Sequence, residues 1–171
     1  MAPDATVAGR QGPVIRLDKI APGTQQTVIS ENEPVFVRHL TPAQRDEARE
    51  QIAAENLYNP LARNANLSAG LLAHQDTRMV AGHAIVIVTG RCTRRGCVPI
   101  LDSGDFDGWF CPCCAAHYDV LGRIRKGIAP RNLAIPRYRV LSDHQVRLLP
   151  HGAGPNRHKI DDLLFGPSDR G

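Results

Sequence analysis

Cysteine crowding constrains this chain more than any other feature. All five of its cysteines, Cys92, Cys97, Cys111, Cys113 and Cys114, fall between positions 92 and 114 of 171 residues. Scattered structural cysteines rarely cluster so tightly. The crowding points to a metal site, a disulfide-stapled pair of loops, or both, and an odd number leaves at least one thiol outside any intrachain disulfide set. The cysteines sort into two loops, Cys92 with Cys97 and Cys111 with Cys113 and Cys114. Each loop thus offers candidate ligands and an extra sulfur.

The segments around the loops read as strands. Ala84-Ile85-Val86-Ile87-Val88 is an apolar run of buried-strand length that leads directly to Gly90-Arg91-Cys92. Trp109-Phe110 is a short strand delivering Cys111, after the turn Asp102-Ser103-Gly104-Asp105. Upstream, Pro13 to Leu17, Gln26 to Ile29 and Val35 to Arg38 alternate β-branched residues between Gly and Pro punctuation, which predicts two or three antiparallel strands. Closing strands are expected near Arg137 to Leu141 and Gln145 to Leu149, with a turn at Gly122-Arg123.

One helix stands out. Thr41 is its N-cap, Pro42 its first residue and Gln44 its capping-box partner, opening a charged run to about Asn56. Ala48, Ile52 and Ala53 give it a narrow apolar stripe, so it is expected to lie on a sheet with solvent on most sides. Residues 57–80 read as a long loop around an apolar patch at Leu67, Leu71 and Leu72, and residues 151–171 as a flexible tail. The prediction is an all-β chain with one helix, residues 1–150 forming the domain.

Several functions are excluded. Basic residues outnumber acidic ones by four but are scattered, without the interleaved aromatics of a nucleic-acid surface. No run approaches the roughly 18 to 20 apolar residues of a membrane helix, and the N-terminus carries no secretory pattern, so the chain as written is expected to be soluble, without signal or anchor. There is no paired acid and base, no Ser-His-Asp order and no phosphate-binding glycine loop. An independent hydrolase or transferase has no support. His39, His74, His83, His144, His151 and His158 are isolated and are assigned no chemistry, and Trp109 is expected in the core.

Three readings of the cysteines stay open, two with a metal and one without. Cys92, Cys97, Cys111 and Cys114 form a zinc-like set if Cys97 is free. An atypical cysteine-ligated cluster and a metal-free fold with one disulfide remain beside it. Reducing surroundings favour the metal, oxidising ones the disulfide.

The loops also resemble a known family. Cys92-Thr93-Arg94-Arg95-Gly96-Cys97-Val98-Pro99 resembles the C-T-H-L-G-C-V-P loop of the Rieske iron-sulfur proteins of quinol:cytochrome c reductase. Gly104-Asp105-Phe106-Asp107-Gly108-Trp109-Phe110-Cys111-Pro112-Cys113 is similar to that family's G-D-F-G-G-W-F-C-P-C, and Cys114-Ala115-Ala116-His117-Tyr118-Asp119 stands where it has H-G-S-H-Y-D. Gly122 to Gly127 and Ala129 to Leu133 continue the match.

The resemblance implies a Rieske-type antiparallel sandwich or barrel base domain with a small cluster-binding subdomain at about 90–133. It implies a [2Fe-2S] cluster, cytochrome b and cytochrome c subunits and quinol as partners, and a respiratory membrane on its periplasmic or intermembrane side. Met1 matches the family's hinge, so a membrane helix is expected upstream or is missing. Such a chain is a subunit of an oxidoreductase, not an enzyme alone.

Carried over residue by residue, the resemblance makes Cys92 and Cys111 the thiolate ligands and Cys97 and Cys113 a disulfide. Arg94 and Cys114 stand at the two histidine ligand positions. Arg94 cannot ligate iron, because its guanidinium stays protonated and has no lone pair; Cys114 can supply a thiolate. Ala116, Tyr118, Gly127 and Pro130 fall in the cluster environment, with Ala116 in place of a serine, Ile128 in place of a proline of the shielding loop, and Arg95 in place of an apolar tip residue. His117 is expected to be structural. Impaired electron transfer from quinol to cytochrome c is the implied outcome. The alternative is a non-catalytic accessory domain or a decaying gene copy.

Overall fold

The computed structural model describes residues 11–50, 80 and 84–150. Its strands are β1 (Val14–Arg16), β2 (Gln25–Ser30), β3 (Glu33–His39), β4 (Ile85–Thr89), β5 (Ile100–Leu101), β6 (Asp107–Cys111), β7 (Ala116–Asp119), β8 (Ile124–Lys126), β9 (Tyr138–Ser142) and β10 (Gln145–Leu148). The helix α1 (Pro42–Glu50) follows β3, and a single 3-10 turn (Leu17–Lys19) follows β1. The strands form three antiparallel sheets, ordered β1-β10-β9, β2-β3-β4 and β5-β6-β7-β8.

The middle sheet explains the apolar run at 85–88. Side chains alternate across a strand, and both faces of β3 and β4 are covered. Val35, Val37, Ile85 and Ile87 pack with Ile15, Val146 and Leu148 of the first sheet. Phe36, Val86 and Val88 face the other way, into a second core with Trp109, Tyr118, Leu121 and Ile124. A strand buried on both sides has no polar face, so its sequence shows no alternation.

Trp109 fastens the second core to the middle sheet. Its ring is fully buried, stacks on Phe36 with centroids 6.1 Å apart and lies 5.4 Å beneath the Arg38 guanidinium. Its Nε1–H donates to Gln25 Oε1 at 2.9 Å. Arg38, itself fully buried, donates to the Asp107 carbonyl and pairs with Asp102 Oδ1, each at 2.8 Å. Through these contacts the hairpin that carries the second cysteine loop is held to the sheet that carries the first.

The helix begins as expected. Gln44 N–H donates to Thr41 Oγ1 at 3.2 Å and Thr41 N–H donates to Gln44 Oε1 at 3.0 Å, a reciprocal capping box. Ala48 is its buried contact. The expected continuation to Asn56, the leucine patch and the tail lie outside the described residues. Two short strands, β5 and β8, and the start of β7 were not read from the sequence. They are too brief to show periodicity and are defined by their partners, β6 and β7.

Candidate metal centre

Both cysteine loops hang from strand ends. The first follows β4: Gly96 N–H donates to the Cys92 carbonyl and Cys92 N–H to the Cys97 carbonyl, both at 2.8 Å, closing a tight turn with Gly96 at positive φ. Arg91 braces this turn, pairing with Glu33 at 2.9 Å and donating to the Gly96 carbonyl at 3.1 Å. The second loop joins β6 to β7 and turns through Ala115, whose φ of +51° is left-handed. Gly127, at φ +101°, lies against this turn so closely that a Cβ would press on the Ala115 carbonyl and come within 2.7 Å of the Ala116 Cα.

A disulfide between Cys97 and Cys113 ties the loops together. With Cys97 so joined, the four-thiolate set of Cys92, Cys97, Cys111 and Cys114 is not formed. The other three cysteines are free and buried, and their sulfurs lie within 4.8 Å of one another. Cys92 Sγ and Cys114 Sγ are 3.3 Å apart. Among the described residues the groups able to hold a metal ion consist of cysteines alone. Arg94 and Arg95 are exposed at the loop tip.

Each free thiol faces the backbone amide two residues further on: Arg94 for Cys92, Cys113 for Cys111 and Ala116 for Cys114. The Tyr118 hydroxyl, fully buried, lies 3.3 Å from Cys92 Sγ and accepts from Thr93 N–H at 3.4 Å. Burial raises every thiol, but at Cys92 the Tyr118 and Arg94 hydrogen bonds outweigh it and the thiol lies below its ordinary value. Burial pushes Cys111 up, and burial together with the neighbouring Cys92 and Cys111 pushes Cys114 up to about 12. Burial and the bond to Cys92 likewise raise the Tyr118 phenol. The first proton to leave the group is therefore that of Cys92.

The surrounding residues divide sharply. Ala116 is buried beside the thiols, Pro130 is exposed and Ala129 buried, and Ile128 is 61% exposed. His117 accepts from Asp105 N–H at 3.1 Å through Nδ1 and packs edge-on against Phe110. Sequence reading missed the contact that closes the site: Thr93 Oγ1 donates to the Arg131 carbonyl at 2.7 Å and accepts from Arg131 N–H at 3.3 Å. No local signal links residues so far apart. Asp119 Oδ1 accepts from Leu121 and Arg123 N–H, each at 3.0 Å. Its buried pairing with the Arg123 side chain at 2.7 Å and Arg125 at 3.3 Å went unread.

No protein-family model matches the chain. Individual relatives do. The chain is 41% identical over 151 residues to the ubiquinol-cytochrome c reductase iron-sulfur subunit of Cereibacter sphaeroides, covering 86% of this chain and 80% of that one. It is 40% identical over 147 residues to the subunit of the same name from Rickettsia conorii, covering 85% and 76%. A solved structure described as hyperthermophilic respiratory Complex III shares the fold, with a TM-score of 0.53 and 19% identity over 84% of this chain and 79% of that chain.

Proposed function

Because the chain belongs to the Rieske iron-sulfur subunits of ubiquinol-cytochrome c reductase, we propose that it is the head of such a subunit with its quinol-to-cytochrome c electron transfer impaired at the metal centre. In this reading residues 1–150 are the head, residues 90–133 the cluster-binding part and residues 151–171 a tail. Cytochrome b and cytochrome c subunits hold it at a respiratory membrane. Among the described residues no helix is long and apolar enough to cross a membrane.

The donor set carries the proposal. A Rieske [2Fe-2S] cluster, which supplies one-electron chemistry at raised potential when bound, takes two thiolates on one iron and two imidazoles on the other. Here Cys92 and Cys111 stand as the thiolates, and among the described residues the group around them adds only Cys114. Arg94, at the remaining position, is exposed and has no lone pair to give. The residues do not fit the cluster.

Two consequences follow for quinol. With no imidazole at 94 or 114, no side chain at either position can accept the quinol hydrogen bond and its proton near neutral pH. Arg95 places a charge at the tip where the family has an apolar residue, and a cation desolvated there costs several kcal/mol or more. Iron and acid-labile sulfide analysis of anaerobically purified protein tests this. We expect neither in stoichiometric amount, and their recovery in the Arg94→His/Cys114→His double variant. Stoichiometric iron and sulfide in the unaltered chain would contradict the reading.

A further inference from the structure

Three buried thiols on one side of an intact disulfide are more than the debris of a lost cluster. Their sulfurs all lie within 4.8 Å of one another. Ligands of a single ion stand at this kind of spacing: with zinc–sulfur bonds of about 2.3 Å, the edge of a tetrahedron is about 3.8 Å. One pair, Cys92 and Cys114 at 3.3 Å, needs to open by only about half an ångström to meet it. Cys114 sits where a dinuclear centre would carry its outer ligand, yet its sulfur converges on the other two.

From these observations we infer that Cys92, Cys111 and Cys114 form a mononuclear site for a thiophilic divalent d10 ion of the zinc class, with a fourth position left for water or a small ligand. The inference rests on the proposed loss of the [2Fe-2S] centre.

Charge selects the ion. Three thiolates around a divalent ion leave one net negative charge, whereas a monovalent ion leaves two, and each buried charge is costly unless hydrogen-bonded. The surroundings provide those bonds. The amides of Arg94, Cys113 and Ala116 each face one sulfur, and Tyr118 adds a hydroxyl at Cys92. Such outer donors orient sulfur ligands and offset their charge. The site is also prearranged. The disulfide, the Thr93–Arg131 clasp and Gly127 fix both loops through contacts that do not involve the three thiols. Of the three thiols Cys114 is the rim residue, at 9% exposure against 2% or less for the other two. Thiolate sulfur prefers zinc and related soft ions over magnesium, calcium or manganese.

The test uses the metal-free full chain with the Cys97–Cys113 disulfide intact, so that only three thiols can ligate. Cobalt(II) is titrated anaerobically and then displaced with zinc(II). We expect thiolate-to-cobalt charge-transfer absorption that saturates at a single equivalent and is lost to zinc. The Cys114→Ser variant should lose it. Because misfolding of that variant would also abolish the absorption, alkylation of the unaltered chain is mapped with and without zinc, and Cys92, Cys111 and Cys114 should all be protected together. Absence of charge-transfer absorption, a thiol of the three that zinc leaves reactive, or loading by copper(I) but by no divalent ion would each overturn the inference. Iron with sulfide in the purified protein would instead overturn the reading beneath it.

Discussion

The two cores of this molecule are held by different means. The one between the β1-β10-β9 and β2-β3-β4 sheets consists of interleaved aliphatic residues such as Ile15, Val37, Ile87 and Leu148. Any set of similar shape and volume would serve there. The core behind the thiols is tied by specific contacts: the Cys97–Cys113 disulfide, the buried Asp119–Arg123 pair, Trp109 against Phe36 and Arg38, and the Tyr118 hydroxyl. The first core makes the fold; the second holds two loops at a fixed separation. Because those ties lie outside the ligand positions, donor atoms can change while the loop frame persists.

Substitutions can break this contrast, the largest effect coming from the buried ion pair. Asp119→Ala strands Arg123, and to some extent Arg125, and should cost about 3–5 kcal/mol in denaturant unfolding. Ile87→Ala, in the other core, should cost about 2–5 kcal/mol but leave the reactivity of Cys92, Cys111 and Cys114 unchanged. If both variants expose the thiols equally, the two cores are not separate in function.

Next in size is the disulfide, whose partners lie 16 residues apart. Replacing it with Cys97→Ser/Cys113→Ser should cost about 3 kcal/mol and raise hydrogen exchange in β6 and β7 more than in β3 and β4. Equal increases in the two sheets would deny it a local role.

A third test is pH. In the metal-free protein Cys114 holds its proton up to about 12, against an ordinary value of 9.0. An unfolded chain therefore loses this proton first, and the stability it contributes is full below pH 9 and falls as pH rises toward 12. The midpoint of thermal unfolding should drop across that window, and the drop should be shallower in Cys114→Ala. An identical slope in the two proteins would remove the effect from Cys114.

The smallest expected change concerns Ala115, a left-handed residue at φ +51°. Ala115→Gly relieves a Cβ clash and should raise stability by up to about 1 kcal/mol, read from the same denaturation curves. A loss would show that the second loop does not depend on this conformation.

Much of the fold is legible in the sequence because its signals are local. The capping box of Thr41 and Gln44, the strand run before Gly90 and the turn at Gly122 all depend on near neighbours. The pairing of β1 with β10 joins the two ends of the described chain, and no local pattern encodes it. At the site, the loop motifs point to every cysteine. The convergence of Cys114 on Cys92 does not follow from the motif, since residue spacing cannot say which way a sulfur points. Nor can spacing reveal the amides facing the thiols or the Thr93–Arg131 clasp, which arise only when both loops are fixed by strands elsewhere.

Whether this frame still carries the family's redox centre can be read from a single spectrum. Low-temperature electron paramagnetic resonance of the dithionite-reduced, anaerobically iron- and sulfide-reconstituted protein should be silent in the Rieske region, with the signal returning in Arg94→His/Cys114→His. A Rieske-type signal from the unaltered chain would contradict the account.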